Sequence, residues 1–364
     1  MPFTDLGLML TILAALLSPY LVLTSLFLSL GRSVVLNKDY SYRPTVSVFL
    51  PTFNEEALIQ KKLDNLISQT YPLTEILVYD CSTDRTPMIV ENYKTKFSMI
   101  KLIRQSERIG MARTLNQAFK DSKGEIFIKT DCDSITPSKD SIKDIVANFS
   151  DEKVGGATGI SVAQKGVEKF FRRFMTKIQI AETKIDSTVI AHSSSILAFR
   201  RALFEPVYIN SMAEDTEEFV RIRKKGYRTI VDPSVISFED VPSEFRKRRI
   251  QKDRRSQGII KVLLEEADMV FRFRYGKFGC IVLPIEWFIL VISPFILIVS
   301  GIMIGVILLS LYPLLILALV APLALAFVHK SNLLSSIIDT QISGIIGTTM
   351  NMLKKESPLW TRVR

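Results

Sequence analysis

The chain has 364 residues, 47 Lys+Arg against 37 Asp+Glu for a formal net charge of +10, three Cys and two His. With 48% hydrophobic and 23% charged residues it is too apolar for a disordered tail. Its 16 Gly and 15 Pro follow no period, which excludes a collagen-like chain. Three scattered Cys build no disulfide framework, and two distant His build no His-rich zinc site. The length suits about two domains. The positive excess fits an anionic partner without choosing between nucleic acid, acidic lipid and nucleotide phosphate.

The first predicted element is apolar. Leu6 to Leu30 holds no charged residue, a stretch longer than the ~20 residues a helix needs to cross hydrocarbon. Asp5 stands where a signal peptide would carry basic residues, so the segment reads as a retained anchor. Arg32, Lys38 and Arg43 follow it. The positive-inside rule then puts Arg32 in the cytoplasm and Met1 outside.

Next comes an alternation of strands and helices. Val46–Leu50 reads as a strand broken by Pro51-Thr52-Phe53-Asn54, after which Glu55 and Glu56 open a helix with Leu58, Leu63, Leu66 and Ile67 on one face. Further strands follow at Glu75–Tyr79, Ile100–Ile103 and Ile126–Lys129, with a helix over Met111–Lys120 after Gly110. Such alternation predicts an α/β fold with a mostly parallel central sheet. In such sheets ligands bind beyond the carboxyl ends of the strands, and Asp80, Asp131 and Asp133 fall at those ends.

These carboxylates have both plain and chemical readings. Asp131-x-Asp133 offers hard oxygen ligands for Mg²⁺ or Mn²⁺, though acidic pairs also cap helices. Asp80, in Asp-x-Ser-Thr-Asp, either makes an Asx-turn or accepts a hydrogen bond from a nucleobase. Glu214-Asp215 precedes a helical stretch, Thr216 to Lys225, stopped by Gly226. The pair either complements a helix dipole or supplies a general base. Arg246 to Arg255 reads RKRRIQKDRR. It is a basic helix face, a nucleic-acid patch, or a place where Gln251, Arg254 and Arg255 meet a diphosphate. His192-Ser193-Ser194-Ser195 reads as a loop or strand start without an assigned role.

A second apolar block, Cys280 to Val328, holds one charge, Glu286. At 1.5 Å per residue it suits two crossings, with a turn near Ser310 and Pro313 and a return at His329 and Lys330. Glu286 sits near the interface or pairs within the bundle. In Leu333 to Leu353, Leu334, Ile338, Ile342, Ile345, Ile346, Thr349 and Leu353 recur at helical steps. The stripe predicts an amphipathic helix on the membrane surface, the alternative being a fourth crossing, which would place the basic Lys354, Lys355, Arg362 and Arg364 that follow it outside. The expected organisation is an anchor over 1–31, a cytoplasmic domain over 32–279, two spans over 280–330, and an interfacial helix with a basic tail over 331–364.

Taken together, Pro51-x-Phe53-Asn54-Glu55, Asp80-x-Ser82-Thr83-Asp84, Gly110 with Leu115-Asn116, Asp131-x-Asp133, Glu214-Asp215 and Gln251-x-x-Arg254 resemble a family-2 glycosyltransferase over about residues 44 to 260. The flanking apolar segments and the tail at Trp360-Thr361-Arg362 resemble its membrane-integrated branch, which includes glucomannan, cellulose and hyaluronan synthases and ceramide glucosyltransferases. The resemblance implies a GT-A fold and inverting transfer from a nucleotide-diphosphate sugar, a UDP-sugar favoured, to a polysaccharide or lipid acceptor at the membrane. It implies that Thr52 and Glu55 line the nucleoside and Asp80 meets the base. Asp131 and Asp133 hold nucleotide and metal, Asp133 the nearer metal ligand. Asp215, with Glu214 beside it, deprotonates the acceptor, and Gln251 and Arg254 close over the diphosphate.

Four positions depart from the family pattern. Tyr79 replaces the first Asp of the base-binding pair, and Cys81 replaces its Gly. Met111 stands where a phosphate-facing Lys is usual, leaving Arg113 to substitute. Arg255 stands where the pattern has Trp. These departures keep two other classes in view: a nucleotide-sugar-binding membrane scaffold without turnover, and a membrane-tethered nucleic-acid binder built on the Arg246–Arg255 run. The strand-end carboxylates argue against nucleic acid, because they repel phosphates.

Overall fold

The computed structural model describes residues 3–163, 167–191, 196–239, 245–311 and 333–353. The expectations at His192–Ser195, at Pro313, for the second crossing, and for the basic tail from Lys354 to Arg364 lie outside the described residues, whereas Ser310, the other residue of the expected turn, is helical.

The centre is an eight-stranded mixed sheet in the order β3-β2-β1-β4-β7-β6-β8-β5. Its first half is parallel: β1 (Val46–Thr52) pairs with β2 (Glu75–Asp80) and β4 (Ile126–Lys129), and β2 pairs with β3 (Ile100–Arg104). Beyond β4 the direction reverses. β7 (Leu197–Arg200) is antiparallel to both β4 and β6 (Val154–Ala163), and β8 (Arg228–Glu239) is parallel to β6. The carboxyl ends of β6 and β8 therefore lie on the same edge as those of β1, β2 and β4. The short β5 (Ser134–Ile135) closes the sheet against β8, antiparallel.

Side chains alternate across a pleated strand, and here both faces are buried. Val46, Val48 and Leu50 pack with Ile59, Leu63 and Leu66 of α2 (Ile59–Ile67), Val90 of α3 (Thr86–Lys94) and Ile142, Ile145 and Val146 of a later helix. Phe49, Leu77, Tyr79 and Phe127 face the other way, onto Ala112, Leu115 and Ala118 of α4 (Met111–Asp121). Phe127 stacks between Phe49 and Phe199, with ring centroids 6.0 and 6.1 Å away. Truncating such a buried ring costs about 3–5 kcal/mol.

β1 differs from its expected end. It continues through Pro51 and Thr52, opposite Tyr79 and Asp80. The β1–β4 ladder stops at Phe49↔Lys129, and Phe49 O accepts from Thr130 N–H on that side. Pro51 faces the same side two residues later, where no ladder bond remains to lose, so its missing N–H is tolerated.

The helices of the second half are α5 (Ser141–Ala147), α6 (Val167–Ile185), α7 (Glu214–Lys224) and α8 (Phe245–Glu265). Phe27 of α1 (Phe3–Leu30) joins Met175 and Ile178 of α6, Ile260 and Leu263 of α8, and Phe278, Val282 and Val291 in one apolar cluster. A continuous helical rod begins at Phe278. It contains α9 (Leu283–Trp287) and α10 (Ser293–Leu311), with π-type turns at Phe278–Val282 and Phe288–Ile292. By length and composition, Gly7–Leu30 and Phe278–Ile307 each suffice to cross a membrane. Glu286 is buried on this rod beside the buried Glu182 of α6.

The last described helix, α11 (Leu333–Met352), turns a different face inward from the expected apolar stripe. Ser343, Gly344, Gly347 and Thr348 are buried, whereas Ile342 and Leu353 are exposed. The small residues let backbones approach closely: a Cβ on Gly347 would sit 3.0 Å from the Gln257 backbone. Ser343 Oγ donates to Asp253 at 2.7 Å, and Asn351 Nδ2 donates to Gln257 O at 2.9 Å. α11 is thereby tied to α8.

Candidate active site

The carboxyl edge of the sheet opens into a cavity of about 310 Å³. Thr52 and Glu55 line it from the end of β1, Asp131 and Asp133 from the loop after β4, Glu214 and Asp215 from α7, and Gln251, Arg254 and Arg255 from α8. Nine of the expected site residues, scattered from 52 to 255, thus meet in one place.

Asp80 and Arg113 do not line it. Asp80 is fully buried at the end of β2. Its carboxylate accepts from Thr52 Oγ1 (2.8 Å), from the Ser82 backbone N–H (3.2 Å) and hydroxyl, and from Arg104. The loop beyond β1 is fixed to the same place. Asn54 adopts a left-handed φ of 55°, which its short polar side chain tolerates, and its Oδ1 accepts from Thr83 N–H at 2.8 Å. Arg113 points outward on α4. The cation near this end of the cavity is Arg108, whose guanidinium lies 4.2 Å from the Phe53 ring centroid.

Glu214 and Asp215 occupy the first turn of α7, which begins at Glu214 rather than after the pair as expected. The N-terminal end of a helix dipole favours negative charge there. Lys129, fully buried at the end of β4, donates to Asp215 Oδ1 at 2.6 Å and to Glu214 Oε1 at 2.9 Å. A buried ammonium is tolerable only when paired. Burial alone would lower its pKa, but the Asp215 and Glu214 carboxylates outweigh burial and push it up. Burial likewise opposes ionisation of Glu214, yet Lys129 holds that carboxyl below its ordinary range.

A second buried lysine supports the Asp131–Asp133 loop from behind. Lys62 of α2 donates to Thr130 Oγ1 at 2.7 Å and to Ser134 O. Burial pulls its pKa down to about 8, against the opposing pull of Cys132, Asp131 and Asp133. Sequence reasoning missed both lysines. Their signal is present: Lys129 ends the otherwise apolar run Ile126-Phe127-Ile128, and Lys62 interrupts the apolar face Ile59, Leu63, Leu66.

Among the described residues no group of three or more His, Cys, Asp or Glu is arranged to hold a metal by itself. Two carboxylates suit Mg²⁺ or Mn²⁺ when substrate phosphates and water complete the shell. The basic side supports a phosphate ligand: Arg254 Nε is buried with no hydrogen-bond partner among the described residues. The expected basic run lies on α8, where Gln251, Lys252, Arg254 and Arg255 face the cavity and Arg249 pairs with Asp253 at 2.9 Å.

The chain is similar to known proteins. Residues 47–207 match the profile of glycosyl transferase family 2. The chain is 27% identical over 248 residues to the probable glycosyltransferase YdaM of Bacillus subtilis, covering 64% of this chain and 59% of that protein. It is 33% identical over 148 residues to the beta-monoglucosyldiacylglycerol synthase of a Nostoc species, covering 39% of this chain and 31% of that one. The chain therefore spans under two thirds of the length of these relatives. Among solved structures, the mannosyltransferase PcManGT from Pyrobaculum calidifontis, in complex with GDP-Man and Mn²⁺, superposes with a TM-score of 0.80 at 26% identity, covering 96% of this chain and all of that one. Residues 47–207 thus resemble glycosyl transferase family 2, and the overall architecture is the GT-A fold of a glycosyltransferase.

Proposed function

We propose that the protein is a membrane-bound inverting glycosyltransferase that moves a hexosyl unit from a nucleotide-diphosphate sugar to a polysaccharide or lipid acceptor. The observation that carries this reading is the meeting of two acidic pairs, Asp131/Asp133 and Glu214/Asp215, with a buried Arg254 N–H that has no partner among the described residues, in one cavity. Thr52 and Glu55 then line the nucleoside end, and Arg254 and Gln251 face the diphosphate, Arg255 beside them. Asp133, with Asp131, would hold Mg²⁺ or Mn²⁺, which neutralises charge on the departing diphosphate. The family resemblance favours a UDP-sugar, while the structural relative holds GDP-Man.

Asp215 takes the proton as the acceptor hydroxyl attacks the anomeric carbon from the face opposite the leaving diphosphate, which inverts that carbon. Lys129 aims the carboxylate by donating to its Oδ1 at 2.6 Å. A positioned base of this kind contributes about 10²–10⁴ in rate, or roughly 3–5 kcal/mol. Gly7–Leu30 and Phe278–Ile307 would anchor the protein, with Arg32, Lys38 and Arg43 placing the domain in the cytoplasm.

The test is nucleoside diphosphate release by the full chain in lipid, with Mn²⁺ or Mg²⁺ and a panel of UDP- and GDP-sugars. Release that needs metal and one donor is expected. Donor binding without release under any acceptor would replace the transferase with a nucleotide-sugar-binding membrane protein.

A further inference from the structure

One face of α2 packs Ile59, Leu63 and Leu66 into the core, and a second face is polar and turned to the chain that follows β4. Lys62, Asn65 and Gln69 recur along that second face at steps of three and four, Gln69 lying two residues past the helix end. Each holds the neighbouring chain at two points. Lys62 Nζ donates to Thr130 Oγ1 at 2.7 Å and to Ser134 O. Asn65 Nδ2 donates to Thr136 O at 2.8 Å, and its Oδ1 accepts from Thr136 N–H at 3.2 Å. Gln69 Nε2 donates to Ser138 O at 3.0 Å, and its Oε1 accepts from Ile142 N–H at 3.1 Å. The stripe thus follows the segment 130–142 from end to end.

The three contacts are not equivalent. Asn65 and Gln69 hold chain beyond β5, which leads away from the site. Lys62 brackets the loop itself, because its two acceptors flank Asp131, Cys132 and Asp133 on either side. Those three residues line the cavity, whereas Lys62 is buried and does not. The ammonium therefore lies behind the loop. Two carboxylates two residues apart repel each other until a cation neutralises them, and a yielding loop would let them splay. A cation joined to both shoulders of the loop fixes its shape and offsets part of that repulsion. Ligands ordered before binding cost less to order on binding.

Resting on the glycosyltransferase reading, we propose that Lys62 is a positioning residue for the divalent metal: by bracketing Asp131 and Asp133 from behind, it holds both carboxylates in ligating shape before Mg²⁺ or Mn²⁺ and the diphosphate arrive. Lying off the cavity wall, it acts through the loop and touches neither metal nor donor. The two ends of one stripe then differ in what they do. Loss of the Gln69 end costs stability alone, and loss of the Lys62 end costs stability and metal affinity together.

The experiment titrates the full chain in neutral-lipid nanodiscs with Mn²⁺, free metal being read by electron paramagnetic resonance, at saturating GDP and separately at saturating UDP. Lys62→Met keeps the apolar stem and removes the ammonium. Its Mn²⁺ Kd should rise by about 10–100-fold, the usual effect of losing a group that orients metal ligands. Gln69→Met removes two hydrogen bonds further along the same stripe. It should lower the unfolding temperature comparably and leave the Mn²⁺ Kd unchanged. Thr130→Val removes one of the two acceptors of Lys62 at constant shape and should give part of the rise. Should Lys62→Met fail to fold, Thr130→Val against Gln69→Met decides alone. An unchanged Mn²⁺ Kd in Lys62→Met, or equal losses of affinity at both ends of the stripe, would overturn the inference while leaving the transferase reading intact. So would tighter Mn²⁺ binding in Lys62→Met, which would make the ammonium a competing charge. A parent chain that binds neither nucleotide with Mn²⁺ would overturn the transferase reading itself, and the role of Lys62 with it.

Discussion

Two acidic sites at the same edge of the sheet receive opposite treatment. At the end of β2, Asp80 is closed off: Thr52, Ser82 and Arg104 occupy its carboxylate and it does not line the cavity. At the start of α7, Glu214 and Asp215 are also buried, but both pair with Lys129 and they line the cavity. A strand-end or helix-start carboxylate is therefore not by itself a ligand site. What separates the two is whether the carboxylate borders the cavity and what kind of group faces it. A carboxylate enclosed by local donors fixes a loop, and a pair held by a buried cation at a cavity wall stands where a substrate can reach it.

The comparison is broken most severely by removing the chemistry itself. Asp215→Asn should lower turnover by about 10²–10⁴ and leave donor affinity nearly unchanged, as read by kcat and donor Kd. Undiminished turnover would remove Asp215 from the role of base. Lys129→Met comes next. It leaves two buried carboxylates without their cation, a loss of about 3–5 kcal/mol by the usual cost of breaking a buried pair. The unfolding temperature and kcat should fall together, and Lys129→Arg should recover part of both. A stable, active Lys129→Met protein would show that the acid pair needs no compensation.

At Asp80 the expected effect is smaller and of another kind. Asp80→Asn should act on stability and on the donor loop, with about 1–3 kcal/mol lost from its hydrogen bonds. Because Thr52 lines the cavity and donates to Asp80, donor KM should rise more than kcat falls. A double-mutant cycle with Thr52→Val should show the two effects overlapping instead of adding. Additive losses would mean that Asp80 contacts the donor independently of the loop.

Much of this was legible in the sequence, and the reasons for success and failure are physical. The runs Val46–Leu50, Glu75–Tyr79 and Ile126–Lys129 are short, apolar and rich in β-branched and aromatic residues, so the parallel half of the sheet was readable from pattern alone. The acidic motifs could be read because sequence places them at strand ends, where the fold puts ligands. The reversal at β7 was not readable, since antiparallel insertion depends on pairing partners far apart in the chain. Nor was the state of Asp80: saturation by Arg104 is a tertiary fact. Lys62 and Lys129 were overlooked because a lysine in an apolar run is ordinarily a solvated one, and only the fold shows which carboxylates and carbonyls wait for it. On α11 periodicity marked an apolar stripe but said nothing of the opposite face, where the small residues Gly344 and Gly347 approach Pro294 and Gln257.

The finest test of the comparison lies on α7 itself. Glu218, within one turn of Asp215, is buried, and neither of its carboxylate oxygens has a hydrogen-bond partner among the described residues. Burial pushes its carboxyl well above the ordinary range, and Arg221 and Lys225 oppose that only in part. One helix thus holds acids with a buried cation and an acid without one. The folded chain keeps a proton on Glu218 at pH values where the unfolded chain, titrating near ~4.3, has released it. The contribution of this group to stability is therefore fullest below the unfolded pKa and is lost as pH rises toward the folded one. Glu218→Gln replaces the neutral acid with a neutral amide and should abolish that loss. Its unfolding temperature should match the parent near pH 4 and exceed it near pH 8, by an amount equivalent to about 1 kcal/mol. Parallel pH profiles for the two proteins would mean that Glu218 is ionised in the fold. Burial without a hydrogen-bonded partner would then not be enough to set the two kinds of acid on α7 apart.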